Sequence, residues 1–198
     1  DIIKKFQIGY STLTHDAIAK EAISKGYKKE FLIKTGICYE KEDGSLRDRF
    51  WGRIIFPVHT VTGKVVAFGG RVLNSDAKTA KYVNSPESEI YHKSNELYGI
   101  YFAKQSIIKQ NKCFLVEGYM DVISMHQSGI ENVVASSGTS LTPGQIKLLH
   151  RFTENITLLY DGDAAGIKAS IRGIDMLLAE GLNIKVLLLP NNEDPDRI

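Results

Sequence analysis

Five carboxylates, Glu117, Asp161, Asp163, Asp194 and Asp196, stand in three short contexts: Glu117-Gly118-Tyr119-Met120-Asp121, Tyr160-Asp161-Gly162-Asp163 and Glu193-Asp194-Pro195-Asp196. Glu117 and the pair Asp161/Asp163 directly follow apolar, strand-like runs, and the pair Asp194/Asp196 lies just beyond another. Acids gathered at one edge of a sheet repel each other unless a cation compensates them. Hard cations such as Mg²⁺ take oxygen ligands and serve phosphate chemistry, so the pattern points to metal-assisted phosphoryl or nucleotidyl transfer. Each context also has a plainer account. Asp161-Gly162 is a turn dipeptide, and Glu117 is a strand end open to water. Asp121 falls where an acid answers a helix dipole, and Asp194-Pro195-Asp196 is a solvated loop.

The elements that must position these acids alternate in the second half of the chain. Cys113–Glu117, Asn132–Ala135, Ile156–Tyr160 and Ile184–Leu189 read as strands. Between them, Asp121–Gln127, a segment from Pro143 to about Phe152, and a long stretch from about Ala164 to Glu180 read as helices. Thr142-Pro143 has the chemistry of a helix start. Near-continuous apolar strands between helices predict a parallel sheet covered on both faces. Its crossovers bring the strand C-termini to one edge, where ligands bind. Glu117, Asp161 and Asp163 fall at that edge. Asp194 and Asp196 can return to it after a short loop.

The first half has a different rhythm. Thr14–Lys25 reads as a capped helix and Lys28–Lys34 as a shorter one. Ile54–His59 and Lys64–Phe68 form a predicted hairpin around Thr62-Gly63, with Arg71–Leu73 extending its second strand. About Glu96–Asn111 is helical and leads into the acidic half. These readings place a boundary near residue 108, with the two halves packed together.

Net charge over 198 residues is +2, unevenly placed. Residues 1–108 hold 17 Lys and Arg against 12 Asp and Glu, whereas residues 109–198 hold 8 against 11. An acidic site beside a basic half suits a polyanionic partner. In the basic half, Arg49, Arg53, Arg71, Lys81 and Lys93 are interleaved with Phe50, Trp51, Tyr82 and Tyr91, which suits single-stranded nucleic acid. Surface lysines over core aromatics give the same pattern. Cys38 and Cys113 are far apart in apolar stretches, and no His or Cys has zinc-site spacing, so no zinc is expected. No apolar run approaches a membrane span, so a cytoplasmic protein without membrane partners is expected.

Taken together, these residues resemble the bacterial DnaG-type DNA primase family. The three acidic contexts look like the three signatures of a Toprim domain. Phe68-Gly69-Gly70-Arg71-Val72-Leu73, Lys81-Tyr82-Val83-Asn84-Ser85-Pro86-Glu87, His92-Lys93, Leu97-Tyr98-Gly99 and Ala135-Ser136-Ser137-Gly138-Thr139-Ser140 also match. The resemblance implies an α/β fold: a Toprim subdomain with a largely parallel sheet, residues 109–198, packed on a mixed α+β subdomain, residues 1–108. It implies primer synthesis from ribonucleoside triphosphates on single-stranded DNA at the replication fork. Glu117, Asp161 and Asp163 would be catalytic, binding Mg²⁺ or Mn²⁺ with Asp121, Asp194 and Asp196. Arg49, Arg53, Arg71, Lys81 and Lys93 would hold template or nucleotide. Replicative helicase and single-strand-binding protein would be partners through regions mostly expected to lie outside this segment, as are the family's zinc-ribbon domain, which helps choose initiation sites, and its C-terminal helicase-interacting region.

Trp51 stands where relatives often carry a basic residue, so that contact does not transfer. Topoisomerases and nucleases share the Toprim signatures. A topoisomerase needs a nucleophilic tyrosine, and Tyr119 lies inside the acidic motif. A Toprim-type nuclease, or a nucleic-acid or nucleotide-binding module without activity, is the alternative. Phosphatases of the haloacid-dehalogenase kind also place Asp-x-Asp after a strand, but carry Thr or Val where Ala165 stands.

Overall fold

Short elements separated by glycine turns make the first half of the chain in a computed structural model, which describes residues 1–73, 79–138, 140–160 and 173–188. In order they are α1 (Ile2–Phe6), β1 (Gly9–Tyr10), α2 (Ala17–Ser24), α3 (Lys29–Lys34), β2 (Cys38–Glu40), β3 (Leu46–Asp48), β4 (Arg53–His59), β5 (Val65–Val72) and β6 (Tyr82–Asn84). One sheet has the order β1-β4-β5-β6, and β2-β3 is a separate antiparallel hairpin. The expected hairpin is present, with Gly63 N–H donating to Thr60 O across its turn. β5 runs unbroken through Gly69 and Gly70 to Val72 and pairs antiparallel with β6, Arg71 opposite Tyr82.

Sequence reading places the start of the α2 helix at Thr14. The helix instead starts at Ala17, after Asp16, whose side chain makes no cap hydrogen bond. Asp48, fully buried at the end of β3, supplies the missing acceptors from thirty residues away. Its Oδ2 accepts from Ile18 N–H at 2.8 Å and its Oδ1 from Ala19 N–H at 3.0 Å. Asp48→Ala strands one buried and one part-buried donor and is expected to cost about 3 kcal/mol, with Asp48→Asn losing less, as read by urea denaturation. Cys38 beside it is free and buried; burial, then the Asp48 charge, raises its thiol pKa to about 12. Cys113 is likewise free, and complete burial raises its pKa.

The second half contains α4 (Ile100–Gln110), β7 (Cys113–Val116), α5 (Tyr119–Gln127), β8 (Val133–Ala135), α6 (Pro143–His150), β9 (Asn155–Tyr160) and β10 (Asn183–Leu188), with residues 173–179 helical. The four strands form one sheet in the order β10-β9-β7-β8, every pair parallel, as the apolar runs predict. On one face Cys113, Leu115, Val134, Ile156 and Leu158 pack with Ile100, Ala103 and Ile107 of α4, Ile146 and Leu149 of α6, and Leu177. Thr142 closes the expected capping box: its Oγ1 accepts from Gln145 N–H, and Gln145 Oε1 accepts from Thr142 N–H. Fully buried Gln145 also donates to the carbonyls of Lys93 and Glu96, fixing the approach to α4.

By compactness, residues 3–58 and 65–92 form one unit. Residues 59–64 join the described residues from Lys93 onward in the other. Within that second unit Tyr98 forms a bridge to Ala135, adding a residue to the β8 edge of the sheet. Gly99 follows at φ 86°, and a Cβ there would lie 2.9 Å from Val122 Cγ1 and 3.3 Å from Val133 O. Conformation and space both require glycine at this position.

Candidate functional site

The strand order fixes where a ligand crevice opens. β7 connects through α5 to β8 on one side, whereas β9 connects to β10 on the other. The crossovers therefore diverge between β7 and β9, and the carboxyl edge at that point is the topological switch of the sheet. Glu117 is the residue that follows β7 there. Leu115 lies opposite Leu158, so the same register brings Glu117 level with Tyr160, the last residue of β9. Glu117 is half-buried and its Oε1 is fully buried. Asp161, Asp163, Asp194 and Asp196 lie outside the described residues.

Three local features hold the Glu117 backbone. Asp121 Oδ2 accepts from Gly118 N–H at 2.8 Å, so this buried acid caps the start of α5. Gly118 has an ordinary extended backbone, φ −117°. A sharp turn is therefore not what calls for glycine. A Cβ there would lie 3.1 Å from Asp121 Oδ2. From the neighbouring strand end, Ser136 N–H donates to Val116 O and Ser137 N–H to Glu117 O at 3.0 Å. Ser137 adopts φ 58°, the left-handed region that non-glycine residues avoid. Such strain collects at functional sites. Thr139, in the same small-residue loop, lies outside the described residues.

Tyr119 packs edge-on against Tyr98, ring centroids 4.7 Å apart, and both are buried. Burial, with Tyr119 adjacent, pushes the Tyr98 phenol well above its usual pKa. Tyr119 is thus a core ring. Among the described residues no group of three or more His, Cys, Asp or Glu side chains is placed to hold a metal. The two described acids, Glu117 and Asp121, are oxygen donors of the kind that suit a hard divalent cation. Asp121 has one oxygen already engaged by Gly118.

The basic residues divide by burial. Arg53 is 6 % exposed, and its Nη1 donates to Gly70 O at 3.3 Å and Lys81 O at 3.2 Å, tying β4 to β5 and to the segment before β6. Burial lowers its pKa. Arg49 is half-buried, with Nε donating to Gly36 O at 2.6 Å. Arg71 and Lys81 sit on one ring: the Arg71 guanidinium lies 5.9 Å from the Tyr82 centroid and the Lys81 ammonium also 5.9 Å. Lys93 belongs to the second unit, in the 3₁₀ turn Lys93–Asn95, its carbonyl held by Gln145. Arg47 lies over Trp51, 5.7 Å from the ring centroid, and contacts His15 Nδ1 at 3.0 Å. Sequence spacing does not separate the embedded Arg53 from the ring-bound Arg71. The hint lies in Arg71 and Tyr82 being cross-strand partners.

Residues 1–104 match the family described as DNA primase catalytic core, N-terminal domain, and residues 114–198 match a Toprim-like family. A DNA primase of Clostridium acetobutylicum is 44% identical over 194 residues, covering 98% of this chain and 32% of that protein. The Aquifex aeolicus primase structure, comprising zinc-binding and RNA polymerase domains, superposes with TM-score 0.92 at 38% identity. That match covers 99% of this chain and 48% of the other. A DnaG primase catalytic domain bound to single-stranded DNA gives TM-score 0.89 at 40% identity, over 99% of this chain and 64% of that one. The chain thus spans about a third of the curated relative it matches.

Proposed function

The chain belongs to the DNA primase catalytic core family, and on that premise we propose that it synthesises short RNA primers on a single-stranded DNA template. The observation that carries the proposal is Glu117 at the switch point of a Toprim-like parallel sheet. In the proposed reaction a primer 3′-hydroxyl attacks the α-phosphate of the next ribonucleoside triphosphate and pyrophosphate leaves. Glu117, Asp161 and Asp163 are the proposed catalytic acids. With Asp121, Asp194 and Asp196 they would hold Mg²⁺ or Mn²⁺, which supplies charge neutralisation at the phosphate. Glu117, carried on a backbone fixed by Ser137 and Gly118, takes the role of ligand or proton acceptor at the 3′-hydroxyl. Asp121, hydrogen-bonded to Gly118, orients that backbone.

The proposed division of labour is template and nucleotide holding by residues 1–108 and metal chemistry by residues 109–198. The matched spans, ending at 104 and beginning at 114, support it. Arg49, Arg71, Lys81 and Lys93 are the proposed phosphate contacts, with Arg53 acting from within the sheet. The Arg71–Tyr82–Lys81 cluster suits a stacked base with a flanking phosphate. Arg71→Ala is expected to weaken single-stranded DNA binding roughly tenfold at low salt and to flatten its salt dependence. Fluorescence anisotropy across a salt series checks this. In a bacterial cell the activity belongs at the replication fork. No helix among the described residues is long and apolar enough to cross a membrane.

The deciding assay incubates the chain with single-stranded DNA, labelled ribonucleotides and Mg²⁺ or Mn²⁺. Template-dependent short RNA supports the proposal. DNA cleavage without synthesis favours a Toprim-type nuclease, and binding without either reaction favours an inactive nucleic-acid module.

A further inference from the structure

The amino-terminal edge of the parallel sheet carries a second concave site, and it is donor-rich. α6 and the helical residues 173–179 pack on the sheet face that presents Ile156 and Leu158. On the opposite face Asn183, Lys185 and Leu187, alternate residues of β10, are all exposed. A cavity of about 280 Å³ opens there, lined among others by Asn111, Lys112, Asn155, Thr157, Asn183 and Lys185. Asn183 lies opposite Asn155, and Lys185 opposite Thr157, so these four share one face.

Hydrogen-bond accounting shows what the cavity lacks. Asn183 Nδ2 donates to Asn155 Oδ1 at 3.1 Å, Asn155 Nδ2 to Asn111 O at 3.0 Å, and Thr153 Oγ1 to Asn111 Oδ1 at 2.9 Å. Two of the three asparagine oxygens thereby accept one bond each. Each asparagine NH₂ carries two hydrogens and each oxygen two lone pairs, so the asparagines alone are balanced and the donor excess comes from the lysines. Lys112 and Lys185 add two ammonium groups, and neither forms an ion pair with a described carboxylate. Lys112 follows the C-terminus of α4, where a cation also answers the helix dipole. Lys185 is mid-strand and has no such role. Lys112 also rests over the Phe114 ring, 4.1 Å from its centroid. Two ammonium groups with no carboxylate partner among the described residues, beside amide donors, select an anion with several acceptor oxygens.

We propose that this face binds a phosphate-bearing small molecule of about mononucleotide size, at a site distinct from the carboxylate edge. Lys112 and Glu117 stand at opposite ends of β7, about 16 Å apart along the strand. The inference does not depend on the primase reading, because it uses none of the proposed catalytic residues.

The test is an NMR titration of the ¹⁵N-labelled chain in EDTA, with inorganic phosphate in one arm and 5′-AMP in the other. Saturable shifts are expected in the side-chain amides of Asn111, Asn155 and Asn183, with dissociation constants below roughly 10 mM. Tighter binding of AMP assigns the site to nucleotides, and equal affinity assigns it to free phosphate; either supports the proposal. The double variant Lys112→Gln/Lys185→Gln is expected to weaken binding about tenfold with an unchanged backbone spectrum. Glu117→Gln should leave the titration unaltered. The proposal fails if these amides do not shift, if the shifts survive in the double variant, or if Glu117→Gln removes them.

Discussion

Replacing Glu117 by Gln is expected to lower primer synthesis by about 10³-fold while template binding and thermal stability stay near those of the parent chain. The substitution is nearly isosteric, so the packing around Gly118 and the hydrogen bond from Ser137 to the Glu117 carbonyl, made by the main chain, should persist. What disappears is one negative charge at the switch point, and with it the proposed cation ligand or proton acceptor. Asp161→Asn, at a proposed catalytic acid, is expected to act alike. Single-turnover incorporation of a labelled ribonucleotide, alongside anisotropy with unlabelled template, separates catalysis from binding. Normal synthesis by either variant would remove these acids from the proposed mechanism. Equal loss of synthesis and template binding would place Glu117 in the template site.

A large structural effect is expected at Gly99. Alanine there must adopt φ 86° and bring its methyl 2.9 Å from Val122 Cγ1 and 3.3 Å from a backbone oxygen of β8. The left-handed backbone costs about 1–2 kcal/mol and the overpacking a further 1–3 kcal/mol. Together they predict a fall in melting temperature of about 10 °C. Gly129→Ala is the internal control, because Gly129 has the same φ of 86° and nothing within 4 Å of its added Cβ. Subtracting one variant from the other isolates the steric part. Gly99→Ala should also reduce synthesis, since Tyr98 beside it pairs with Ala135 and the next residues hold Glu117. If the two variants melt alike, the close approach of Val122 and Val133 carries no weight.

The parallel sheet was legible because its strands are nearly continuous apolar runs, and its register follows once the order is known. Thr142-Pro143 was equally plain, since capping chemistry is local in sequence. Asp48 was not: its partners are Ile18 and Ala19, and no local pattern links a strand-end acid to a helix thirty residues earlier. The β2-β3 hairpin and β6 escaped notice because their residues are short, polar or half-buried runs. Within the site, sequence placed Glu117 at the sheet edge and Asp121 at a helix start, where the backbone of Gly118 engages one of its oxygens; the metal role that the resemblance implies for Asp121 stays a proposal. The basic residues showed the sharpest limit. Arg53 and Arg71 look alike in sequence, and only the sheet tells a carbonyl-bound buried cation from one resting on a tyrosine ring.

β7 lies between β8 and β9, so the strand that delivers Glu117 is bonded on both flanks. Its amides can exchange with solvent only when the sheet itself comes apart, whereas among the described residues no strand flanks β10 on its outer side. Amide protection should therefore peak at Phe114 and Leu115, just below Glu117, and decline toward Val186. Glu117, the proposed catalytic acid, is thereby anchored to the segment of its unit expected to open most slowly, which would keep its backbone fixed through the proposed cycle of nucleotide and template binding.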